Sequence, residues 1–150
     1  MLTPDSEGTA TQGISTVTSL PLRIIVADDT PAMATFLEEL INDQLDMEMV
    51  VVARDTPDVV DLARIHHPDV ILLDIRMPGG GGVAAATAIR AEDQLVRIVA
   101  LSTRSDQATI EAMFAAGADA YVVKGPDVQE ILGAIRSSTS LSTATTENAT

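Results

Sequence analysis

The sequence predicts an α/β fold in which helices cover both faces of a parallel sheet. Short runs of Val, Ile and Leu recur along the chain, and a longer segment with helical spacing of apolar residues follows each run. Strand and helix alternate in this way five times, which is typical of parallel sheets with helical connections. The central run, residues 70–73, is apolar throughout, as expected for a strand buried on both faces.

The apolar runs define five predicted strands. Each run ends at polar residues or at a change of spacing. A proline and four glycines follow the third strand and its final Asp74, so a loop without regular structure is expected there before the third helix, residues 83–91. The predicted strands are residues 22–27, 47–53, 70–74, 96–101 and 120–123.

The other helices are predicted from residues that begin or end helices. Thr30 and Thr56, each followed by proline, are expected to cap the first two helices. Ser105 is expected to cap the fourth helix, Gly117 to end it, and Pro126 to open the fifth. The predicted inward-facing residues are Met33, Phe36, Leu37, Leu40 and Ile41, then Val59, Val60, Leu62, Ala63 and Ile65, then Ile110, Met113 and Phe114, and finally Val128, Ile131, Leu132 and Ile135.

Composition excludes several classes of protein. The chain has 150 residues and no cysteine, so a disulfide scaffold is excluded. A net charge of -13 argues against direct binding to nucleic acid or to an anionic membrane, since both require clustered Lys and Arg. The N-terminus lacks the basic start and apolar core of a signal peptide, and no apolar run is long enough to span a bilayer. We therefore expect a cytoplasmic protein.

One folded domain is expected, flanked by two polar segments. Residues 1–20 and 138–150 are rich in Thr and Ser and show no sustained apolar period, so both are predicted to be flexible tails, the second alternatively a truncated linker. The domain between them is predicted to span residues 21–137.

Polar side chains are expected to converge where the strands end. Asp28 and Asp29 follow the first strand, Asp74 ends the third, Ser102 follows the fourth and Lys124 follows the fifth. Because parallel strands all finish at one edge of the sheet, and ligands bind at that edge in open α/β sheets, these residues should share one cleft.

The three aspartates predict a magnesium site. Carboxylates this close repel one another unless a cation lies between them, and oxygen ligands are those that Mg²⁺ prefers. Asp29 and Asp74 are expected to bind the ion directly, with Asp28 nearby. An aspartate, a metal, a lysine and a hydroxyl group suit phosphoryl chemistry, with the aspartate as nucleophile.

This set of motifs resembles the receiver domain of two-component response regulators. The resemblance covers residues 22–137. It rests on the acidic pair 28–29, the Asp-Ile-Arg-Met-Pro segment 74–78, Ser102 and the Tyr-Val-Val-Lys segment 121–124. It implies a flavodoxin-like (βα)5 fold with strand order 2-1-3-4-5 and a non-enzymatic signalling domain, at most one that phosphorylates itself from small donors and dephosphorylates itself.

The resemblance also implies a role for each site residue. Asp74 would accept the phosphoryl group, with Lys124 and Ser102 contacting it. Ser102 would further act as a switch residue together with Tyr121. Asp74 would also contact Mg²⁺. Three further residues would hold the ion: Asp28 and Asp29 through their side chains, and Arg76 through its backbone carbonyl.

The resemblance implies partners as well. A histidine kinase or a phosphotransfer protein would supply the phosphoryl group. Phosphorylation would shift the surface formed by the fourth helix, fifth strand and fifth helix. That surface would act on a downstream protein or on a C-terminal output domain outside this chain, and it could also form a homodimer.

The chain departs from the family's usual pattern in two places. Glycines fill residues 79–82, where an apolar residue and an Asp or Asn usually precede a single glycine, so this loop is expected to be unusually mobile. Gly125 separates Lys124 from Pro126, whereas proline usually follows the lysine directly.

Other interpretations compete with a phosphorylated receiver. A receiver-like binding module could act through its surface without phosphorylation. A phosphatase of the haloacid dehalogenase type would also use an aspartate nucleophile, but Arg76 stands where that family places its second acid. Taken singly, Asp28 and Ser102 could be turn residues, Lys124 a solvated charge and Tyr121 a core aromatic.

Overall fold

The computed structural model describes residues 20–125 and 127–137. They form five strands and five helices in strict alternation. In chain order these are β1 (Leu22–Ala27), α1 (Pro31–Asn42), β2 (Met47–Ala53), α2 (Thr56–His66), β3 (Val70–Asp74), α3 (Gly81–Glu92), β4 (Arg97–Ser102), α4 (Gln107–Ala116), β5 (Ala120–Val123) and α5 (Val128–Arg136).

The strands form one parallel sheet in the order β2-β1-β3-β4-β5, which confirms the predicted fold and strand order. Within it, Asp74 lies opposite Leu101, and Ser102 lies opposite Val123. Four of the five strands have the predicted bounds, whereas β4 begins and ends one residue later than predicted. Ser102 is consequently the last residue of β4.

Two apolar layers flank the sheet. One contains Val59 of α2, Ile89 of α3 and Met113 of α4, and the other contains Ile41 of α1 and Ile135 of α5. The central strand β3 is buried along its whole length. Because β3 contributes side chains to both layers, burial on both faces accounts for its unbroken apolar sequence.

Aspartates cap three helices for which the sequence predicted other starts. Asp55 caps α2, its carboxylate accepting a hydrogen bond from the Asp58 backbone N–H at 2.8 Å, so Thr56 is the first helical residue. Asp106 rather than Ser105 caps α4, and Asp127 caps α5. The predicted opening at Pro126 falls outside the described residues. Thr30 does precede α1, but its side chain makes no capping hydrogen bond.

Three residues predicted to face inward are exposed. Phe36, Ile65 and Phe114 retain 43%, 67% and 46% of their accessible surface. All three lie at the border of an apolar helical stripe, where the spacing alone does not say how far the sheet extends beneath the helix.

None of the helices among residues 20–125 and 127–137 is long and apolar enough to cross a membrane. Apart from Leu20, the two predicted tails lie outside the described residues. The domain bounds therefore stay predictions.

Candidate functional site

Three aspartates meet where β1 and β3 end. Asp28, Asp29 and Asp74 each offer a carboxylate oxygen, and these oxygens all lie within 4.8 Å of one another. Asp28 and Asp74 are buried, whereas Asp29 is exposed. The predicted convergence of these carboxylates at one edge of the sheet is therefore seen in the fold.

Lys124 follows the edge strand β5, and its side chain reaches the same cluster. Its Nζ lies 3.2 Å from Asp28 Oδ2 and 3.4 Å from Asp74 Oδ1. Its backbone N–H donates to the Ser102 carbonyl at 2.7 Å, which extends the pairing between β5 and β4. The side chain must therefore extend past β4 to reach β3 and β1, a distance that suits the long, flexible stem of lysine.

The backbone holds Asp28 in place. Its N–H donates to the Ala53 carbonyl at 3.0 Å, so pairing with the last residue of β2 continues one residue beyond the end of β1. One carboxylate oxygen accepts from the Thr30 N–H at 2.9 Å, and the other faces Lys124. Asp28 is thus oriented on both sides before any ligand binds.

Asp74 is harder to ionise than an ordinary aspartate. Burial raises the pKa of its carboxyl group, the nearby charge of Asp28 raises it further, and Lys124 and the Arg76 N–H oppose the shift. The Arg76 N–H lies 3.4 Å from Asp74 Oδ1, a long contact. The positive charge of Lys124 therefore offsets only part of the cost of ionising Asp74. A bound cation would favour the charged form further.

The donor set fits Mg²⁺. The available ligands are carboxylate oxygens, one of them exposed so that water can complete the coordination shell. Among residues 20–125 and 127–137, these three aspartates are the acidic side chains that lie close enough together to hold a metal ion.

The segment after Asp74 is held by a backbone hydrogen bond and by a buried side chain. The Gly82 N–H donates to the Ile75 carbonyl at 2.8 Å and closes the turn. Met77 is buried in the apolar layer below α2, α3 and α4. The expectation of a loop without regular structure over residues 79–82 is wrong for its second half, because α3 already begins at Gly81.

The glycines are needed for backbone geometry. Gly79, Gly80 and Gly81 have φ values of 89°, 133° and 84°, which favour glycine. A Cβ on Gly79 would come within 2.8 Å of Pro57 Cδ, so the loop lies directly against the start of α2. This contact explains the glycine run better than a need for a loose chain.

Thr56 is a residue of this region whose position sequence reasoning missed. Its side chain is buried, its N–H donates to the Pro78 carbonyl at 3.0 Å, and its hydroxyl group donates to the Gly81 carbonyl at 3.1 Å. A threonine before proline at a helix start reads as a cap, so the sequence holds no signal for this longer-range contact.

The two predicted switch residues meet at the backbone of Arg104. Ser102 is buried, and its Oγ accepts from the Arg104 N–H at 2.9 Å. The Tyr121 hydroxyl group donates to the Arg104 carbonyl at 2.8 Å. Both side chains thus bond to the segment between β4 and α4 rather than to Asp74. The Tyr121 ring is partly buried against the apolar layer, in line with the core alternative as well.

Residues 24–136 match the response regulator receiver domain family. The chain belongs to this family. The match covers most of the chain and includes every strand end that contributes to the acidic cluster.

Curated relatives of the receiver domain are longer proteins. This chain is 32% identical over 117 residues to the transcriptional regulatory protein PdtaR of Mycobacterium tuberculosis, and the match covers 78% of this chain and 56% of the relative. It is 33% identical over 116 residues to the nitrate/nitrite response regulator protein NarP of Escherichia coli, covering 77% and 54%. The chain thus spans about half the length of these relatives.

Solved structures share the fold. A two-component response regulator of the LuxR family from Aurantimonas has a TM-score of 0.75 at 32% identity, covering 78% of this chain and 84% of that one. The response regulator domain of Thermotoga maritima CheB has a TM-score of 0.73 at 29% identity, covering 79% and 96%. The phosphatase interpretation finds no support in these relationships.

Proposed function

We propose that this receiver domain is a phosphorylation-activated signalling domain in which Asp74 accepts a phosphoryl group with the help of Mg²⁺. The observation that carries the proposal is the placement of the buried Asp74 carboxylate beside two further carboxylates and the ammonium group of Lys124. A nucleophile, ligands for a cation and a fixed positive charge are the parts that phosphoryl transfer requires.

The transfer uses the carboxylate as nucleophile. An Asp74 oxygen attacks the phosphorus atom of the donor, the bond from phosphorus to the leaving group breaks, and an acyl phosphate forms. Asp28, Asp29, Asp74 and the Arg76 carbonyl would hold Mg²⁺, which when bound neutralises charge on the transferring phosphoryl group. Lys124, already 3.4 Å from Asp74, would pair with a phosphoryl oxygen.

Activation would then use the contacts around Arg104. Ser102 Oγ would give up the Arg104 N–H and bond to a phosphoryl oxygen, while Tyr121 would exchange its bond to the Arg104 carbonyl for an inward position. Both exchanges would release the segment leading into α4. The surface of α4, β5 and α5 would shift as a result.

Direct phosphorylation tests the proposal. Incubation of the protein with acetyl phosphate and Mg²⁺ is expected to add one phosphoryl group, detected by intact-mass spectrometry at mildly acidic pH, where acyl phosphates survive. Omission of Mg²⁺ should prevent the addition. A protein that gains no phosphoryl group from acetyl phosphate, and none from a panel of histidine kinases, would contradict the proposal.

The runner-up is a binding module that acts without phosphorylation. Both proposals need a partner surface, but only the first needs the acidic cluster. Partner binding that is the same with and without a beryllofluoride mimic of the phosphoryl group, and the same in a variant without Asp74, would favour the module.

The proposal includes partners by class. A histidine kinase or a phosphotransfer protein would act as donor, and a downstream protein or an attached output domain would read the changed surface. A homodimer through α4, β5 and α5 and a cytoplasmic location remain predictions from the sequence.

Mg²⁺ is expected to stabilise the fold. A ligand that binds only the native state raises the free energy of unfolding by about 1.4 kcal/mol at ten times its dissociation constant. Urea unfolding followed by circular dichroism, with and without MgCl₂, measures the effect. NaCl at equal ionic strength is the control for screening, and equal midpoints in the two salts would contradict a specific site.

Lys124→Met is expected to slow phosphorylation about a hundredfold, the range seen when one preorganised charge or donor is removed from an active site. The variant loses the ammonium group that faces Asp28 and Asp74. Lys124→Arg keeps the charge and should recover part of the rate, although its planar head fits a point-charge role less well. A Lys124→Met rate within twofold of the wild type would show that the lysine is only structural.

A further inference from the structure

Thr56, in the first turn of α2, forms two hydrogen bonds to the loop that contains the glycine run, residues 79–82. The Thr56 N–H donates to the Pro78 carbonyl at 3.0 Å, and its hydroxyl group donates to the Gly81 carbonyl at 3.1 Å. One buried residue therefore bonds both the residue that precedes the run and the third of its four glycines. The two bonds join segments that are more than twenty residues apart in the chain.

Close packing reinforces these bonds. A Cβ on Gly80 would lie 3.6 Å from the Thr56 methyl carbon, and one on Gly79 would lie 3.4 Å from the Thr56 nitrogen. The methyl group and the backbone of Thr56 thus cover the run on one side. A Cβ on Gly79 would also lie 2.8 Å from Pro57 Cδ, so a larger residue there would push the two segments apart.

The same hydrogen bonds limit the position of the Arg76 carbonyl, one of the proposed metal ligands. Arg76 lies between Ile75, whose carbonyl is bonded by the Gly82 N–H, and Pro78, whose carbonyl is bonded by Thr56. Met77 is buried between them. With both ends of this short stretch held, the Arg76 backbone has little freedom to move relative to Asp74.

We infer that Thr56 is a positioning residue that sets the affinity of the proposed metal site by fixing the Pro78–Gly81 loop and, with it, the Arg76 carbonyl. This inference rests on the proposed function, because it assumes that Mg²⁺ binds there. Residues that orient metal ligands without touching the metal commonly change affinity about tenfold or more when altered.

Thr56→Val tests the side-chain part of the inference, because it keeps the shape and the backbone bond to Pro78 but removes the hydroxyl bond to the Gly81 carbonyl. That carbonyl belongs to the same peptide unit as the Gly82 N–H, which bonds the Ile75 carbonyl beside Arg76. The Mg²⁺ dissociation constant, measured by isothermal titration calorimetry, is expected to rise about tenfold. Thr56→Ser restores the hydroxyl group without the methyl group and should return the constant to within about threefold of the wild type. Hydrogen exchange at the Gly82 amide, followed by NMR, should speed up in Thr56→Val and not in Thr56→Ser.

Thr87→Val is the matched control. Thr87 is an exposed residue of α3 whose hydroxyl group also donates to a backbone carbonyl, that of Val83, at 2.8 Å. The same substitution there removes the same kind of bond without touching the loop. Its Mg²⁺ dissociation constant is expected to match the wild type.

The outcomes separate the inference from the proposed function. An unchanged Mg²⁺ dissociation constant in Thr56→Val, in a protein whose wild type binds Mg²⁺ and is phosphorylated, overturns the inference alone. Equal weakening in Thr56→Val and Thr87→Val overturns it too, since general destabilisation would then explain both. A wild type that neither binds Mg²⁺ nor gains a phosphoryl group overturns the proposed function, and the inference with it.

Discussion

Asp74→Asn is expected to abolish phosphorylation by acetyl phosphate. The amide is a poor nucleophile, and the neighbouring Asp28 carboxylate is already held by the Thr30 N–H and Lys124. Intact-mass spectrometry should show the unmodified mass after a time that fully labels the wild type. Equal labelling of the variant would place the phosphoryl group elsewhere and sink the assignment of Asp74.

The same substitution should raise stability in the absence of Mg²⁺. Because burial raises the pKa of Asp74 in the folded state, its contribution to stability is most favourable below the ordinary pKa of 3.8 and falls as the pH rises toward the folded value. At neutral pH the charged carboxylate therefore opposes folding, and the amide removes that cost. Thermal unfolding at pH 7 without metal should give a higher midpoint for Asp74→Asn, and added Mg²⁺ should narrow the gap.

Gly82→Ala is expected to lower the free energy of unfolding by about 2 kcal/mol, the usual cost of inserting a methyl group where nothing can yield. A Cβ at this position would lie 2.8 Å from Ile75 Cα and 3.3 Å from the Asp74 carbonyl oxygen, both backbone atoms. The clash should also displace the end of β3 and slow phosphorylation. Urea unfolding and the labelling rate measure the two effects.

Gly133→Ala provides the matched control for Gly82→Ala. Gly133 lies within α5, is exposed, and has no atom within 4 Å of an added Cβ. Alanine there should raise the free energy of unfolding by about 0.5 to 1 kcal/mol through helix propensity. If both substitutions change stability in the same direction, the close approach at Gly82 is not the cause.

Local pattern was sufficient for the strands and for most of the site. Four strands have the bounds that their apolar runs predict, including the partly exposed edge strands β2 and β5. The fully buried β4 is the one whose bounds differ, by one residue at each end. Pattern was insufficient for helix starts. Asp55 and Asp106 cap α2 and α4 although Thr56 and Ser105 also have capping chemistry. Which side chain caps depends on the backbone direction at that point, and tertiary packing sets that direction.

The sequence by itself determined that Asp28, Asp29, Asp74 and Lys124 come together. Parallel strands finish at one edge, so residues far apart in the chain must meet once the alternation of strand and helix is known. Family membership, shown by comparison, agrees with that motif.

Only the tertiary structure decided how the neighbours of the site are held. Thr56 contacts the glycine run from another element, and Ser102 and Tyr121 bond to the backbone of Arg104. These contacts depend on how α2 and the segment before α4 are placed relative to the site in the folded protein. Residue type and spacing carry no such distance, so the sequence could name the residues of the site but not the bonds that hold it.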